Sequence, residues 1–205
     1  AYQINAQQMA KRALSTLALS YVARAKQADV SALVMSHYQT ANNMTDLLAA
    51  MQAASMADLP ILAEMLQDFE QKWQHDGLVM DNWFRLQATR GHGDTLGLVQ
   101  KLLSHSAFSL QNPNRVRALV GTFCAANPVA FHAKDGSGYR FLVEILTQLN
   151  TINPQVAARL IVPLIQFKRL DATRQKLIRD ALGQLAAMPD LARDLYEKIS
   201  RVLEQ

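Results

Sequence analysis

Basic and amide side chains behind two Asn-Pro pairs are the residues best placed to bind a ligand. Asn112-Pro113 and Asn153-Pro154 have the composition of a helix start, because Asn can cap free backbone N–H groups and Pro suits the first helical position. The side chains that follow are Arg115, Arg117, Gln155 and Arg159. Since the helix dipole disfavours cations in the first turn, arginines here indicate a purpose beyond helix formation. Guanidinium and amide groups bind carboxylates and peptide carbonyls by hydrogen bonds.

Helix geometry divides these four residues into two pairs. Gln155 and Arg159 are spaced i, i+4, so they project from one face and could hold one ligand together. Arg115 and Arg117 lie about 200° apart, so at least one of them must leave the face that packs into the core. Pro163 predicts that this helix bends or loosens just after Arg159. The alternative is that all of these arginines are solvated and paired with nearby carboxylates.

Other chemistry is poorly supported by the sequence. No His-Glu-x-x-His helix occurs, and the five histidines stand far apart in sequence: His37, His75, His92, His105 and His132. Residues 91–94, Gly-His-Gly-Asp, lack the spacing of a phosphate loop and predict a helix connection capped by Asp94. We interpret Cys124 as a packed small hydrophobe and Asp135 as a turn residue. No catalytic residue and no metal site is therefore expected.

Composition and charge restrict the class of protein. The chain has 205 residues, of which 50% are hydrophobic, so it can bury a substantial core. Its formal charge of +4 divides unevenly: residues 1–100 carry 7 Lys and Arg against 9 Asp and Glu, and residues 101–205 carry 14 against 8. Because the excess is modest and the aromatic residues are not interleaved with basic ones, no nucleic-acid partner is expected.

Location is indicated by cysteine usage and hydropathy. A single cysteine suits a reducing compartment, which favours the cytoplasm. No apolar run approaches the roughly 18 residues of a membrane span, and the N-terminus lacks a basic region followed by a hydrophobic segment. We expect a soluble, cytoplasmic protein with no membrane partner.

Apolar residues recur at helical spacing along almost the whole chain, and no stretch alternates like a strand. Clear stripes include one at Leu14, Leu17 and Tyr21, and another at Leu62, Met65, Leu66 and Phe69 behind a predicted Asp58 cap. Turn signals divide the chain into about ten to twelve short helices. The expected fold is all-α, a HEAT-like α-α superhelix of antiparallel helices forming a single domain over residues 1–205.

Long segments of the chain resemble one known family. Residues 112–170 read NPNRVRALVGTFCAANPVAFHAKDGSGYRFLVEILTQLNTINPQVAARLIVPLIQFKRL, and further matching segments are residues 37–46, HYQTANNMTD, residues 72–88, KWQHDGLVMDNWFRLQA, and residues 195–199, LYEKI. Together they closely resemble the C-terminal domain of bacterial aminopeptidase N, a family of zinc-dependent alanyl aminopeptidases of the gluzincin class. The resemblance extends over effectively the whole chain.

This resemblance implies a helical domain that caps a catalytic domain and encloses a chamber around its zinc. In that family the His-Glu-x-x-His zinc motif and the Gly-x-Met-Glu-Asn motif for the substrate's amino terminus lie upstream, and neither occurs in this chain. By similarity, Arg117, Gln155 and Arg159 correspond to residues that line the substrate channel, with Arg115 as their neighbour. Zinc is expected in the catalytic domain of the parent enzyme and not in this chain.

The resulting hypothesis is a non-catalytic C-terminal domain of a zinc aminopeptidase, a hydrolase that removes N-terminal amino acids from peptides. Its expected partners are the remaining domains of that enzyme and peptide substrates. Alone, the chain is expected to be inactive. The alternative hypothesis is a free-standing α-solenoid adaptor that binds a protein or RNA partner on its concave face.

Overall fold

A computed structural model of the protein describes residues 3–25, 27 and 29–204. Those residues form helices joined by short turns, and no strand occurs among them, which confirms the all-α class. The α-helices are α1 (Ala6–Ala23), α2 (Val30–Thr40), α3 (Met44–Met56), α4 (Leu62–Trp73), α5 (Gly77–Ala88), α6 (Thr95–Leu102), α7 (Pro113–Val116), α8 (Thr122–Ala126), α9 (Pro128–Phe131), α10 (Ser137–Ile152), α11 (Pro154–Leu160), α12 (Val162–Ile165), α13 (Ala172–Ala186) and α14 (Arg193–Leu203).

Two interruptions explain how these segments relate to the ten to twelve helices expected. A π-helical turn, Arg117–Gly121, joins α7 to α8, and one residue separates α11 from α12. Counting each interrupted run once leaves twelve α-helices in the described part of the chain. None of the described helices has the length and hydropathy required to cross a membrane.

Residue contacts divide the chain into two compact units, residues 1–86 with 90–93, and residues 87–89 with 94–205. The expectation of a single domain over residues 1–205 stays a prediction, because contact density does not measure whether the units unfold together.

In the first unit, α3 lies against α1, α2 and α4. The stripe predicted on α4 is buried there, with Met65 and Phe69 fully enclosed. Two polar contacts fix this helix in place: the Tyr38 hydroxyl donates to the Asp68 carboxylate at 2.7 Å, and the Trp83 indole N–H donates to the Leu66 carbonyl at 3.0 Å. Because both donors are buried, these bonds satisfy groups that would otherwise be costly to remove from water.

The second unit is built around α10, which packs against α9, α11 and α13, while α14 packs against α11 and α13. Its core contains a cluster of edge-to-face aromatic rings, namely Phe123, Phe131, Tyr139 and Phe141. Gly138 permits this packing, since a Cβ at that position would lie 2.2 Å from the Phe131 carbonyl oxygen. The core of this unit therefore depends on close contact between the backbones of α9 and α10.

The predicted stripe of Leu14, Leu17 and Tyr21 lies on the exposed face of α1. These side chains are 68%, 55% and 68% exposed, whereas Leu19 and Ala23 are the buried residues of α1. Helical periodicity identifies an apolar face but not the surface that covers it, and the described residues do not cover this one.

The prediction that Asp58 caps α4 is also wrong. Asp58 adopts a left-handed conformation, φ 53°, immediately after α3. The amide of Leu59 donates to the Ala54 carbonyl at 2.9 Å, which is the bonding pattern of a helix C-terminus. Asp58 therefore ends α3, and α4 begins only at Leu62.

Candidate functional site

Asn112-Pro113 and Asn153-Pro154 open helices as predicted, and the pair between them, Asn127-Pro128, does the same. The side-chain oxygen of Asn112 accepts from the amides of Asn114 and Arg115, at 3.0 and 3.2 Å. Asn127 and Asn153 cap α9 and α11 through the amide three residues on, at 3.2 and 3.1 Å. Each cap satisfies an amide that has no partner inside its helix, and it fixes where the following side chains project.

The first cap places its two arginines in different environments. Arg115 is buried, with 5% of its surface exposed, while Arg117 is exposed at the start of the π-helical turn. The hydroxyl of Thr122 donates to the Arg117 carbonyl at 3.2 Å, five residues back. Such turns commonly occur at functional sites because the extra residue redirects neighbouring side chains. Here the turn carries the exposed arginine.

The third cap places Gln155 and Arg159 on the exposed side of α11. The helix is interrupted beside Pro163, where the sequence predicts that it bends or loosens: α11 ends at Leu160 and α12 begins at Val162. Pro163 cannot donate to the Arg159 carbonyl, so the helical ladder stops there. The ammonium of Lys198, on α14, donates to the nearby Ala158 carbonyl. This contact joins α14 to the end of the helix that carries Arg159.

Two cavities meet at Arg159. The first, which we name the apolar groove, has a volume of about 440 Å³ and is bordered by Arg117 and Arg159. Its remaining wall is formed by small and apolar residues with one threonine: Gly121, Thr122, Ala125, Ala126, Val156, Leu160, Val162 and Pro163. A wall of this kind accommodates an apolar side chain, and the two guanidiniums at its border suit an anion.

The second cavity, which we name the charged cavity, has a volume of about 690 Å³. Gln155 and Arg159 line it together with further residues of α11, α12 and α14: Ala158, Ile165, Asp194, Glu197, Lys198, Arg201 and Val202. Glu197 is already engaged, because it accepts from the Arg193 guanidinium at 2.7 Å. The structure thus brings Arg117, Gln155 and Arg159 to adjoining cavities, and it places Arg115 in the lining of neither.

In the described part of the chain, Arg117 and Arg159 have no carboxylate partner, a state they share with other exposed arginines such as Arg24, Arg169 and Arg201. Among the residues that the structure describes, the guanidiniums of Arg117 and Arg159 form no ion pair and no side-chain hydrogen bond. Other arginines do find carboxylates: Arg174 pairs with Asp171 at 2.6 Å, and Arg193 pairs with Glu197. Among the described residues, the carboxylate pairs of the alternative do not form at Arg117 or Arg159, while the exposure that it expects is present.

Sequence reasoning missed the contribution of α14. Asp194, Lys198 and Arg201 line the charged cavity, yet they were not among the expected site residues. The available signal was periodicity, because positions 194, 197, 198 and 201 share one face of a helix whose opposite side carries the buried Leu195 and Ile199. That pattern identifies an exposed charged face but not the helix beside it.

Potentially reactive side chains outside the two cavities have structural roles. Burial raises the pKa of the Cys124 thiol, so it packs as an apolar group. The carboxylate of Asp135 accepts from the amide and hydroxyl of Ser137, and these bonds lower its pKa as expected of a turn residue. Asp94 caps α6 as predicted, accepting from the Gly97 amide at 2.8 Å.

A metal centre does not fit the described residues. No three of their His, Cys, Asp and Glu side chains lie close enough together to hold a metal ion. Asp194 and Glu197 are the carboxylates in the lining of the charged cavity, and the guanidinium and ammonium groups beside them repel cations.

The all-α fold agrees with what the family comparison shows. Residues 1–204 match the family described as "Domain of unknown function (DUF3458_C) ARM repeats", and the chain belongs to that family. Armadillo repeats are stacked helices that form a superhelix, so the match also confirms the predicted fold class.

Among curated relatives, the chain is 51% identical to aminopeptidase N of Haemophilus influenzae over 99% of its length, and 50% identical to aminopeptidase N of Escherichia coli over 98%. It is also 34% identical to aminopeptidase N of Caulobacter vibrioides over 94%. The chain spans 23% of the length of the first two relatives. The resemblance to the C-terminal region of bacterial aminopeptidase N is thereby confirmed.

A solved structure shows the same fold. The chain is similar, with a TM-score of 0.90 and 27% identity, to aminopeptidase A of Legionella pneumophila in complex with aspartic acid. The likeness covers 97% of this chain and 23% of that protein.

Proposed function

We propose that this chain is the non-catalytic C-terminal domain of a cytoplasmic zinc aminopeptidase that removes N-terminal amino acids from peptides. In this proposal it caps the active-site chamber and lines the substrate channel with Arg117, Gln155 and Arg159. The similarity to aminopeptidase N over almost the whole chain supports the choice of enzyme. The observation that carries the proposed role is the pair of exposed guanidiniums, Arg117 and Arg159, at one apolar groove without a carboxylate partner among the described residues.

The chemistry of the two cavities matches a peptide bound away from its cleaved bond. Arg117 and Arg159 can donate charge-assisted hydrogen bonds to a peptide's carboxylate or backbone carbonyls, and Gln155 adds neutral donors and an acceptor. The apolar groove between the guanidiniums has room for a hydrophobic side chain of the same peptide. These contacts orient the substrate and leave bond cleavage to another domain.

In this proposal, zinc is bound only by the catalytic domain of the parent enzyme. The bound ion would polarise the scissile carbonyl and activate water in the catalytic domain. The described residues of this chain do not fit a zinc ion, so no step on the metal is assigned to them. Their contribution is to reduce the number of orientations that a bound peptide can adopt, which raises the fraction of productive encounters.

Arg115 has a different place in this proposal from the other channel residues. It is buried, and it lies two residues before Arg117, within the short helix capped by Asn112. We assign it the positioning of this helix and of the π-helical turn that follows. Contact with a peptide is assigned to Arg117, Gln155 and Arg159, whose side chains are exposed.

The proposal predicts that the purified 205-residue chain does not hydrolyse an alanyl chromogenic amide, even with added zinc. The matched control is an aminopeptidase N polypeptide that carries this sequence as its C-terminal region, assayed at the same molar concentration. Zinc-dependent turnover by the short chain at a rate comparable with the control would contradict a non-catalytic role. Zinc-stimulated activity in the control alone is the expected result.

A further inference from the structure

The outward face of α1 is an apolar surface that the described structure leaves uncovered. Leu14, Leu17 and Tyr21 are each more than half exposed, and they are spaced i, i+3 and i+7. Side chains at that spacing form one continuous stripe along a helix. Large exposed apolar patches mark interaction sites, because covering them removes apolar area from water.

The opposite face of α1 packs against α2 and α3. Leu19 and Ala23 are buried, and they lie about 160° around the helix from the exposed stripe. Contacts to α3 and α2 are therefore made through the side of the helix with the smaller apolar surface. A helix at the surface of a protein normally buries its larger apolar face and exposes its polar face. Because α1 exposes the larger apolar face, we expect a second packing partner on that side.

The apolar surface continues from α1 onto α3. An open cavity of about 680 Å³ lies between these helices, with Met9, Leu17 and Met56 in its lining. Met9 is 57% exposed and Met56 is 37% exposed, so the cavity opens onto the same side as part of the stripe. A ridge of large side chains beside a groove is the surface into which another helix packs.

We propose that a further helix of the same aminopeptidase N polypeptide packs on Leu14, Leu17 and Tyr21 and fills the groove beside Met56. Armadillo repeats stack by burying each repeat's apolar face against its neighbours, and an outermost repeat needs a polar outer face. The relatives are more than four times as long as this chain, which spans 23% of them, so they have ample sequence for another repeat. The inference rests on the proposed place of the chain within aminopeptidase N.

Thiol labelling tests this contact with two matched positions. Leu17 is 55% exposed on α1 and Tyr196 is 52% exposed on α14, so Leu17→Cys and Tyr196→Cys begin with similar access. The native Cys124 is buried and contributes little background. The maleimide reaction rate of each variant is measured in the 205-residue chain and in an aminopeptidase N polypeptide with this sequence as its C-terminal region.

We expect Leu17→Cys to react at least about tenfold more slowly in the long polypeptide than in the short chain, because labelling then requires local opening. The protection should not depend on protein concentration. A photoreactive group attached at position 17 should cross-link to a helical segment of its own chain in a mixture of isotopically light and heavy protein. Hydrogen exchange of unmodified α1 should slow in the same comparison and needs no variant.

Equal labelling of Leu17→Cys in both proteins, with unchanged hydrogen exchange of α1, would overturn the proposal. Protection that grows with concentration, or cross-links between light and heavy chains, would assign the surface to a second copy instead and would also overturn it. None of these experiments measures peptidase activity. A negative result for the helix contact can therefore be distinguished from a negative result for the proposed peptide channel.

Discussion

The first and last helices of the chain are both amphipathic, but they expose opposite kinds of side chain. Helix α1 exposes Leu14, Leu17 and Tyr21, and it buries mainly Leu19 and Ala23. Helix α14 buries Leu195 and Ile199, and it exposes a charged face that borders the cavity shared with Arg159. An uncovered apolar face suits a permanent contact within a polypeptide, whereas a charged, hydrated face suits a ligand that must also leave.

The largest expected change in the free energy of unfolding comes from introducing negative charges on the exposed apolar face of α1. Leu14→Asp combined with Tyr21→Asp should lower the free energy of unfolding of the long aminopeptidase N polypeptide by about 3 to 6 kcal/mol, since each buried side chain contributes roughly 1.5 to 3 kcal/mol. In the 205-residue chain, where both residues are 68% exposed, the loss should be below about 1 kcal/mol. Urea unfolding of both proteins measures the difference.

The control for that experiment is Tyr196→Asp on α14, which is 52% exposed. It should change the free energy of unfolding by less than about 0.5 kcal/mol in both proteins, as an ordinary surface substitution does. A loss as large as that of the α1 variant would remove the distinction between the two helices.

The second unit buries its own core, so a substitution there should act in the short chain as well. At Gly138 a Cβ would lie 2.2 Å from the Phe131 carbonyl oxygen, and backbone cannot move aside easily. Gly138→Ala should therefore lower the free energy of unfolding by about 2 to 3 kcal/mol in either protein. Thermal or urea unfolding of the 205-residue chain measures this.

Gly183 provides the matched control, because it lies within α13 and a Cβ there would meet nothing within 4 Å. Gly183→Ala should stabilise the chain by about 0.5 to 1 kcal/mol, since alanine has the lower entropic cost of entering a helix. Similar destabilisation by both substitutions would mean that the contact at Gly138 is not the cause.

The smallest expected effect is a dependence of stability on pH. Burial, with a contribution from the charge of Arg174, lowers the pKa of His132, whose Nδ1 lies 2.9 Å from the Tyr139 hydroxyl. A lowered pKa in the folded state means that the unfolded state binds the proton more readily. The stabilisation should be fully present above pH 6.5, the ordinary value, and lost as pH falls from there through the folded-state pKa.

Urea unfolding of the native chain and of His132→Asn over this pH range tests the assignment. The difference in unfolding free energy between the two proteins should shrink as pH falls below 6.5. A difference that stays constant with pH would show that titration of His132 is not linked to folding.

Periodicity and capping chemistry were sufficient to predict much of this molecule. The Asn-Pro caps, the Asp94 cap, the interruption beside Pro163 and the buried stripe of α4 all depend on residues close together in sequence. The prediction for Asp58 was wrong because the residues between α3 and α4 are few, and an Asp among them can end one helix or begin the next. The left-handed conformation of Asp58 shows that it ends α3.

Contacts between distant residues could not be predicted in this way. The spacing of Gln155 and Arg159 predicts a shared face, but not that α14 supplies Lys198 and Arg201 beside them. Likewise, the stripe on α1 predicts burial without identifying a covering surface. In both cases the sequence specifies which face is available, and tertiary packing determines what that face meets.

The most direct test of the peptide-binding role is the double substitution Arg117→Ala with Arg159→Ala in the zinc-containing aminopeptidase N polypeptide. We predict that kcat/KM for a peptide falls about ten- to a hundredfold, or roughly 1.4 to 2.8 kcal/mol of lost transition-state binding. Turnover of a single-residue alanyl amide, which in this proposal is too short to contact these arginines, should be unchanged. Arg193→Ala, which removes an exposed arginine already paired with Glu197, is the control. Equal losses for the peptide and the amide would contradict the proposed substrate channel.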